Sequence, residues 1–168
     1  SCAIAVVISF IAMLLRPAAI FPIMSTIGLA FAYSLPILPN GGSLKKIPGV
    51  KTALIVVLWV ILTFIVPMTV SGVPWSFPII GGMLYESLMI ASIANLNDIR
   101  DTQGDRIAGV PTIPVIFGVR TAFFFSLFTI LAATMVAAIL GNWVLVMLSV
   151  TSTIGLLFNS SKVLEILR

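Results

Sequence analysis

Apolar residues in this chain fall in long blocks rather than alternating with polar ones. Residues 1–15, 17–38, 50–68, 76–95, 119–140 and 143–158 each carry at most one charged side chain. Blocks of this length suit α-helices that cross a hydrocarbon layer of about 30 Å at about 1.5 Å per residue. The pattern predicts an all-α, polytopic transmembrane helical bundle of about six spans. Pro22 is expected to interrupt the second span, and Pro36 and Pro39 to end it. Segment 1–15 is short for a full crossing and has no charged leader, so it reads as the cut start of a partial chain rather than a signal peptide. Turn-forming residues (Asn40-Gly41-Gly42, Gly72-Val73-Pro74, Gly141-Asn142) stand between the blocks. No linker is long enough to divide the chain. A single transmembrane domain over residues 1–168 is expected.

Composition agrees with the pattern. Hydrophobic residues make up 60% of the chain and charged residues 8%, against roughly a quarter charged in soluble domains. The single Cys cannot form an internal disulfide. The absence of His removes the usual proton shuttle and transition-metal ligand. The net charge of +4 is no nucleic-acid signature, because the basic residues are few and tied to loops. With alternating spans, eight of the nine basic residues fall on one membrane face: Lys45, Lys46, Lys51, Arg100, Arg106, Arg120, Lys162 and Arg168. Only Arg16 falls on the other. The positive-inside rule makes the first face cytoplasmic, or its organellar equivalent. Lys51, Arg120, Lys162 and Arg168 are read as anchors to lipid headgroups.

One segment concentrates the chemistry. Asn95–Arg106 holds three of the five acidic residues and two arginines. On a continuous helix Asp98, Asp101 and Asp105 would share an arc of about 60°. Like charges so close repel unless a cation lies between them. Oxygen ligands without His or Cys select a hard ion, Mg²⁺ or Ca²⁺, over zinc. Lys45 and Lys46 lie on the same face. An acidic metal-binding face opposite a basic clamp is what a diphosphate needs. The apolar bundle would then house a hydrocarbon tail.

Glu86 is the odd residue inside a span. A charge at a span centre costs about 2.5–3.5 kcal/mol on insertion scales, so it must face the bundle interior, be protonated, or have a partner. It lies three helical turns before Asn97, about 20° away on the wheel and roughly 16 Å deeper. It is expected either to line the same cavity at depth, where it would meet a polar acceptor, or to make a structural hydrogen bond to a neighbouring helix.

The run Asp98-Ile99-Arg100-Asp101-Thr102-Gln103-Gly104-Asp105-Arg106, followed by Gly109-Val110-Pro111-Thr112-Ile113-Pro114-Val115, resembles the second aspartate-rich motif of the UbiA-type intramembrane prenyltransferases. The family pattern is D-x-x-D-x-x-G-D-[RK], then G-x-x-T-[LI]-P-V. Upstream, Tyr33-Ser34-Leu35-Pro36 and Leu44-Lys45-Lys46-Ile47-Pro48-Gly49-Val50-Lys51 are similar to the family's Y-S-x-P-P…L-K-R…P-G segment. The resemblance implies a Mg²⁺-dependent membrane enzyme. It would transfer a prenyl group from a prenyl diphosphate to an aromatic or lipid acceptor. Position by position, it implies that Asp98, Asp101 and Asp105 are catalytic metal or diphosphate ligands. Lys45 and Lys46 would clamp the diphosphate, Tyr33 would sit near the reacting end, and Arg106 would hold the motif helix or a phosphate. Asn97 is counted with the substrate-binding residues, although many members carry Lys there.

The chain also departs from the pattern. The family has nine spans and a first aspartate motif, N-x-x-x-D-x-x-x-D or similar. The six segments map onto spans three to eight, so the sequence reads as truncated at both ends and inactive by itself. Ile37 replaces a common second Pro, and Pro39-Asn40-Gly41-Gly42 lengthens the basic loop. A UbiA-type terpene cyclase, which ionises a prenyl diphosphate without an external acceptor, fits the same residues. A transporter fragment would explain the spans and Glu86, but not a Gly-Asp-Arg-terminated acidic motif confined to one loop.

Overall fold

The computed structural model describes residues 17–35 and 43–165. Segment 1–15, Cys2, Arg16, Pro36, Pro39 and Arg168 lie outside the described residues. Helices account for the fold, and no strand occurs among the described residues. In chain order they are α1 (Ile20–Ser34), α2 (Val50–Ser71), α3 (Phe77–Arg100), α4 (Thr102–Ile107), α5 (Ile113–Phe117), α6 (Val119–Ile139) and α7 (Trp143–Glu165). By length and composition α2, α3 and α6 can each cross a membrane. Shorter apolar helices cover Pro17–Tyr33 and Trp143–Phe158.

The helix ends follow local chemistry. Pro22 does not interrupt α1. It falls in the first turn, just after a 3₁₀ turn at Pro17–Ala19, where a missing N–H leaves no bond unmade. α1 stops at Ser34 because Leu35, placed before Pro36, is extended with ψ 150°. α2 starts after Gly49 and ends before Gly72, both at positive φ. Within α2, Pro67 offers no N–H to the turn before it. That turn relaxes to a π-helical segment over Ile61–Ile65, with the Val66 N–H bonded to the Ile61 carbonyl. α3 runs past the apolar block of residues 76–95 and ends at Arg100. The helix breaks at Asp101 (φ −95°, ψ 8°) before the short α4 resumes it. The three aspartates therefore do not lie on one continuous helix, as a shared 60° arc would require.

α3 packs most extensively on α6, and on its other side against α2. The α6 face toward α3 carries small buried residues: Ala122, Ser126, Thr129, Ala133 and Ala137. Small side chains let helix backbones approach where lipid offers no hydrophobic drive. Asn95 bridges the pair, its Nδ2 donating to the Ala122 carbonyl at 2.6 Å and to Ser126 Oγ at 2.7 Å. The Ser92 hydroxyl donates to the Ser126 carbonyl at 3.2 Å. At the other end of α3, a Cβ on Gly81 would come within 2.5 Å of Leu140 Cδ2. Tyr85 packs with Ala133 and Ala137, and its hydroxyl donates to the Leu145 carbonyl of α7 at 3.2 Å. Phe21, Phe128, Trp143 and Phe158 are largely exposed and face outward, the arrangement of a bundle solvated by lipid.

Candidate functional site

A cavity of about 500 Å³ lies between α2 and α3. Its walls are Ile55 and Trp59 of α2 and Ile90, Ile93 and Ala94 of α3. Its polar residues fall in two groups. Lys51, Asn97, Asp98 and Asp101 form one end, and Glu86 lies deeper along α3. This size and this apolar lining with a few convergent polar groups are those of a small-molecule site.

Lys51 organises the polar end. It projects from the first turn of α2, and its ammonium lies 2.8 Å from Asp98 Oδ1 and 3.0 Å from Asp105 Oδ2. Thr52, the next residue, places its hydroxyl 3.5 Å from Asp98 Oδ2. Asp98 is only 2% exposed. A carboxylate so deeply buried requires a partner, and breaking such a pair costs about 3–5 kcal/mol. Asp105 is carried by α4, just beyond the break at Asp101. Asp101 is exposed and pairs with Arg100 at 3.2 Å. That pair is worth little in stability and leaves Asp101 open at the cavity mouth.

The sequence-predicted residues thus separate. Asp98, Asp101 and Asn97 line the cavity, and Asp105 joins Asp98 through Lys51. Tyr33 of α1 lies within electrostatic range of Lys51, Asp105 and Asp98. Lys45 and Lys46 occupy a 3₁₀ turn, Leu44–Lys46, just before α2. Neither forms an ion pair with the three aspartates among the described residues. Arg106 is exposed on α4. Lys51, read from sequence as a lipid anchor, is the cation that meets the aspartates. Its one signal in the sequence is its place in the first turn of α2, just after the glycine that precedes the helix.

Glu86 lines the cavity, and its Oε1 accepts a hydrogen bond from the Thr63 hydroxyl at 2.8 Å. Both sequence expectations for it hold together: it faces the cavity and it bonds a neighbouring helix. Among the described residues no three acidic side chains gather closely enough to hold a metal ion by themselves. The donors at the mouth are nevertheless all hard: two carboxylates and an amide. They fit Mg²⁺, which takes one or two protein carboxylates and completes its shell with phosphate oxygens and water.

The family model for the UbiA prenyltransferase family matches residues 1–165. No curated protein and no solved structure shows a significant match to the chain.

Proposed function

Since the chain belongs to the UbiA prenyltransferase family, we propose that it moves a prenyl group from a prenyl diphosphate to an aromatic or lipid acceptor within the bilayer. The observation that supports this most is the polarity of one cavity: charged at its mouth, hydrocarbon along its walls. A prenyl diphosphate has the same division.

In this reading the diphosphate sits at the Asp98–Asp101–Asn97 end and the tail lies against Ile55, Trp59, Ile90 and Ile93. Asp98 and Asp101, with Asp105 near by, would hold Mg²⁺, which supplies positive charge to the leaving diphosphate. Lys51 adds a fixed cation at the same place and keeps Asp98 and Asp105 oriented. The allylic C1–O bond breaks with its electron pair going to the diphosphate. The acceptor then donates an electron pair to C1 and loses a proton. Lys45 and Lys46, in the 3₁₀ turn that precedes α2, clamp the outer phosphate, and Tyr33 faces the reacting end. The mouth lies on the cytoplasmic face, as the bias of basic residues implies.

The test is turnover in membranes carrying the protein, with radiolabelled prenyl diphosphate, with and without aromatic acceptors and Mg²⁺. Acceptor-dependent labelled product supports transfer. Product formed without acceptor indicates cyclisation. No Mg²⁺-dependent consumption of any prenyl diphosphate removes the reading.

A further inference from the structure

The deep end of the cavity carries a polar group that the proposed chemistry does not use. Glu86 lies in the middle of α3, flanked along the cavity by Ile90 and Ile93. The Thr63 hydroxyl fixes it from the π-helical turn of α2, lying 2.8 Å from Glu86 Oε1 and 2.8 Å from the Trp59 carbonyl oxygen. Among the described residues only Oε1 of the Glu86 carboxyl is hydrogen-bonded, so the group remains polar toward the space it lines. The widened turn ahead of Pro67 is the segment that holds Thr63 against α3. Wide turns of this kind recur at functional sites.

Hydrocarbon gains by burial against Ile90, Ile93 and Trp59, and loses against a carboxyl whose hydration it would displace. The cavity lining therefore has a favourable apolar length between two polar ends. From Asn97 to Glu86, eleven residues along α3 correspond to about 16 Å. An extended four-bond isoprene repeat spans about 5 Å by the reach per bond of an extended chain. About three repeats fill the distance.

We propose that Glu86, pinned by Thr63, is the specificity-determining floor of the tail cavity and limits the preferred donor to about three isoprene units. The inference rests on the prenyl-transfer reading above and adds the substrate length to it. Glu86 does not touch the reacting atoms under this assignment. It acts on which donors fit, not on the bond that breaks.

The experiment measures kcat/KM for donors of two, three, four and five isoprene units. The unmutated protein should favour three units over four by at least about tenfold, the scale at which a pocket discriminates by size. Glu86→Gln keeps the size and polarity of the floor and should keep that ratio. Glu86→Ala should move the optimum to four or five units, shifting the four-to-three ratio about tenfold or more. Thr63→Val, which only unpins the carboxyl, should shift it in the same direction by less. Should Glu86→Ala fail to insert, Thr63→Val and competition binding of the same donor series carry the test. An unshifted ratio in both variants overturns the assignment. So does a changed acceptor KM with unchanged donor ratios, which would make Glu86 an acceptor contact. Turnover without length preference defeats this inference alone. Absence of turnover with every donor defeats the prenyl-transfer reading, and the inference with it.

Discussion

The two sides of α3 use polar residues in opposite ways. Toward α6, Ser92 and Asn95 are completely buried and bonded across the interface. The facing residues are small and the helices lie close. Toward α2, Asn97, Asp98 and Glu86 line a cavity, among larger side chains that hold the helices apart. Asn95 and Asn97 stand two residues apart, yet one is structural and the other lines the candidate site. A polar side chain in a membrane helix is therefore read by what faces it. Opposite Ala and Ser it joins helices. Opposite Ile and Trp, with room between, it lines a cavity.

The largest expected effect tests the cavity side. Asp101→Ala should reduce prenyl transfer by about 10³-fold or more, roughly 4 kcal/mol of transition-state stabilisation. Insertion and thermal stability should hardly change, because Asp101 is exposed and only pairs with Arg100. Near-normal turnover at saturating Mg²⁺ would remove Asp101 from the site.

Lys51→Ala comes next and touches both roles at once. It leaves Asp98 buried without its cation, so stability in detergent should fall by about 3–5 kcal/mol along with activity. Lys45→Ala and Lys46→Ala should leave stability alone and raise donor KM by about 1.5–3 kcal/mol. Melting curves and donor KM for the three variants separate the roles. Equal effects from all three would contradict the special position of Lys51.

The packed side should respond in stability rather than in donor affinity. Ser126→Leu overpacks the α3–α6 contact and should destabilise by about 1–3 kcal/mol. Asn95→Ala should lose about 0.6–1.7 kcal/mol, the range for hydrogen bonds between membrane helices. Thermal unfolding in detergent measures both, and neither should shift donor KM in the fraction that remains folded. A raised donor KM in either would mean that the two sides are coupled.

The smallest perturbation concerns orientation. In a Cys2→Ser background, Gln103→Cys, beside the cavity mouth, should react with an impermeant reagent only from the cytoplasmic side. Val73→Cys, at the far end of α3, should react only from the opposite side. Labelling of both from one side would break the assignment of faces.

Much of this arrangement is legible in the order of residues alone. Long uncharged blocks specify helices in lipid because every backbone group must be satisfied within its own segment. The spacing of Glu86 and Asn97, three whole turns, puts them on one face, and both line the cavity. The stripe from Ala122 through Ser126 to Ala133 and Ala137 consists of small residues at helical spacing, a sign of close packing that apolarity by itself does not carry.

What the amino-acid sequence determined by itself is local: helix spans, their ends at Gly and Pro, the acidic motif and its membership of a prenyltransferase family. Tertiary structure decided which cation meets which acid. Lys51 is 47 residues from Asp98 and 54 from Asp105 in the chain, and no periodicity connects residues on different helices. Only the packing of α2 on α3, with α4 following directly beyond Asp101, brings the three together. Among the described residues Lys45 and Lys46 form no ion pair with the aspartates. Coulomb attraction falls with distance through space, and chain order says nothing of that distance until the helices have docked.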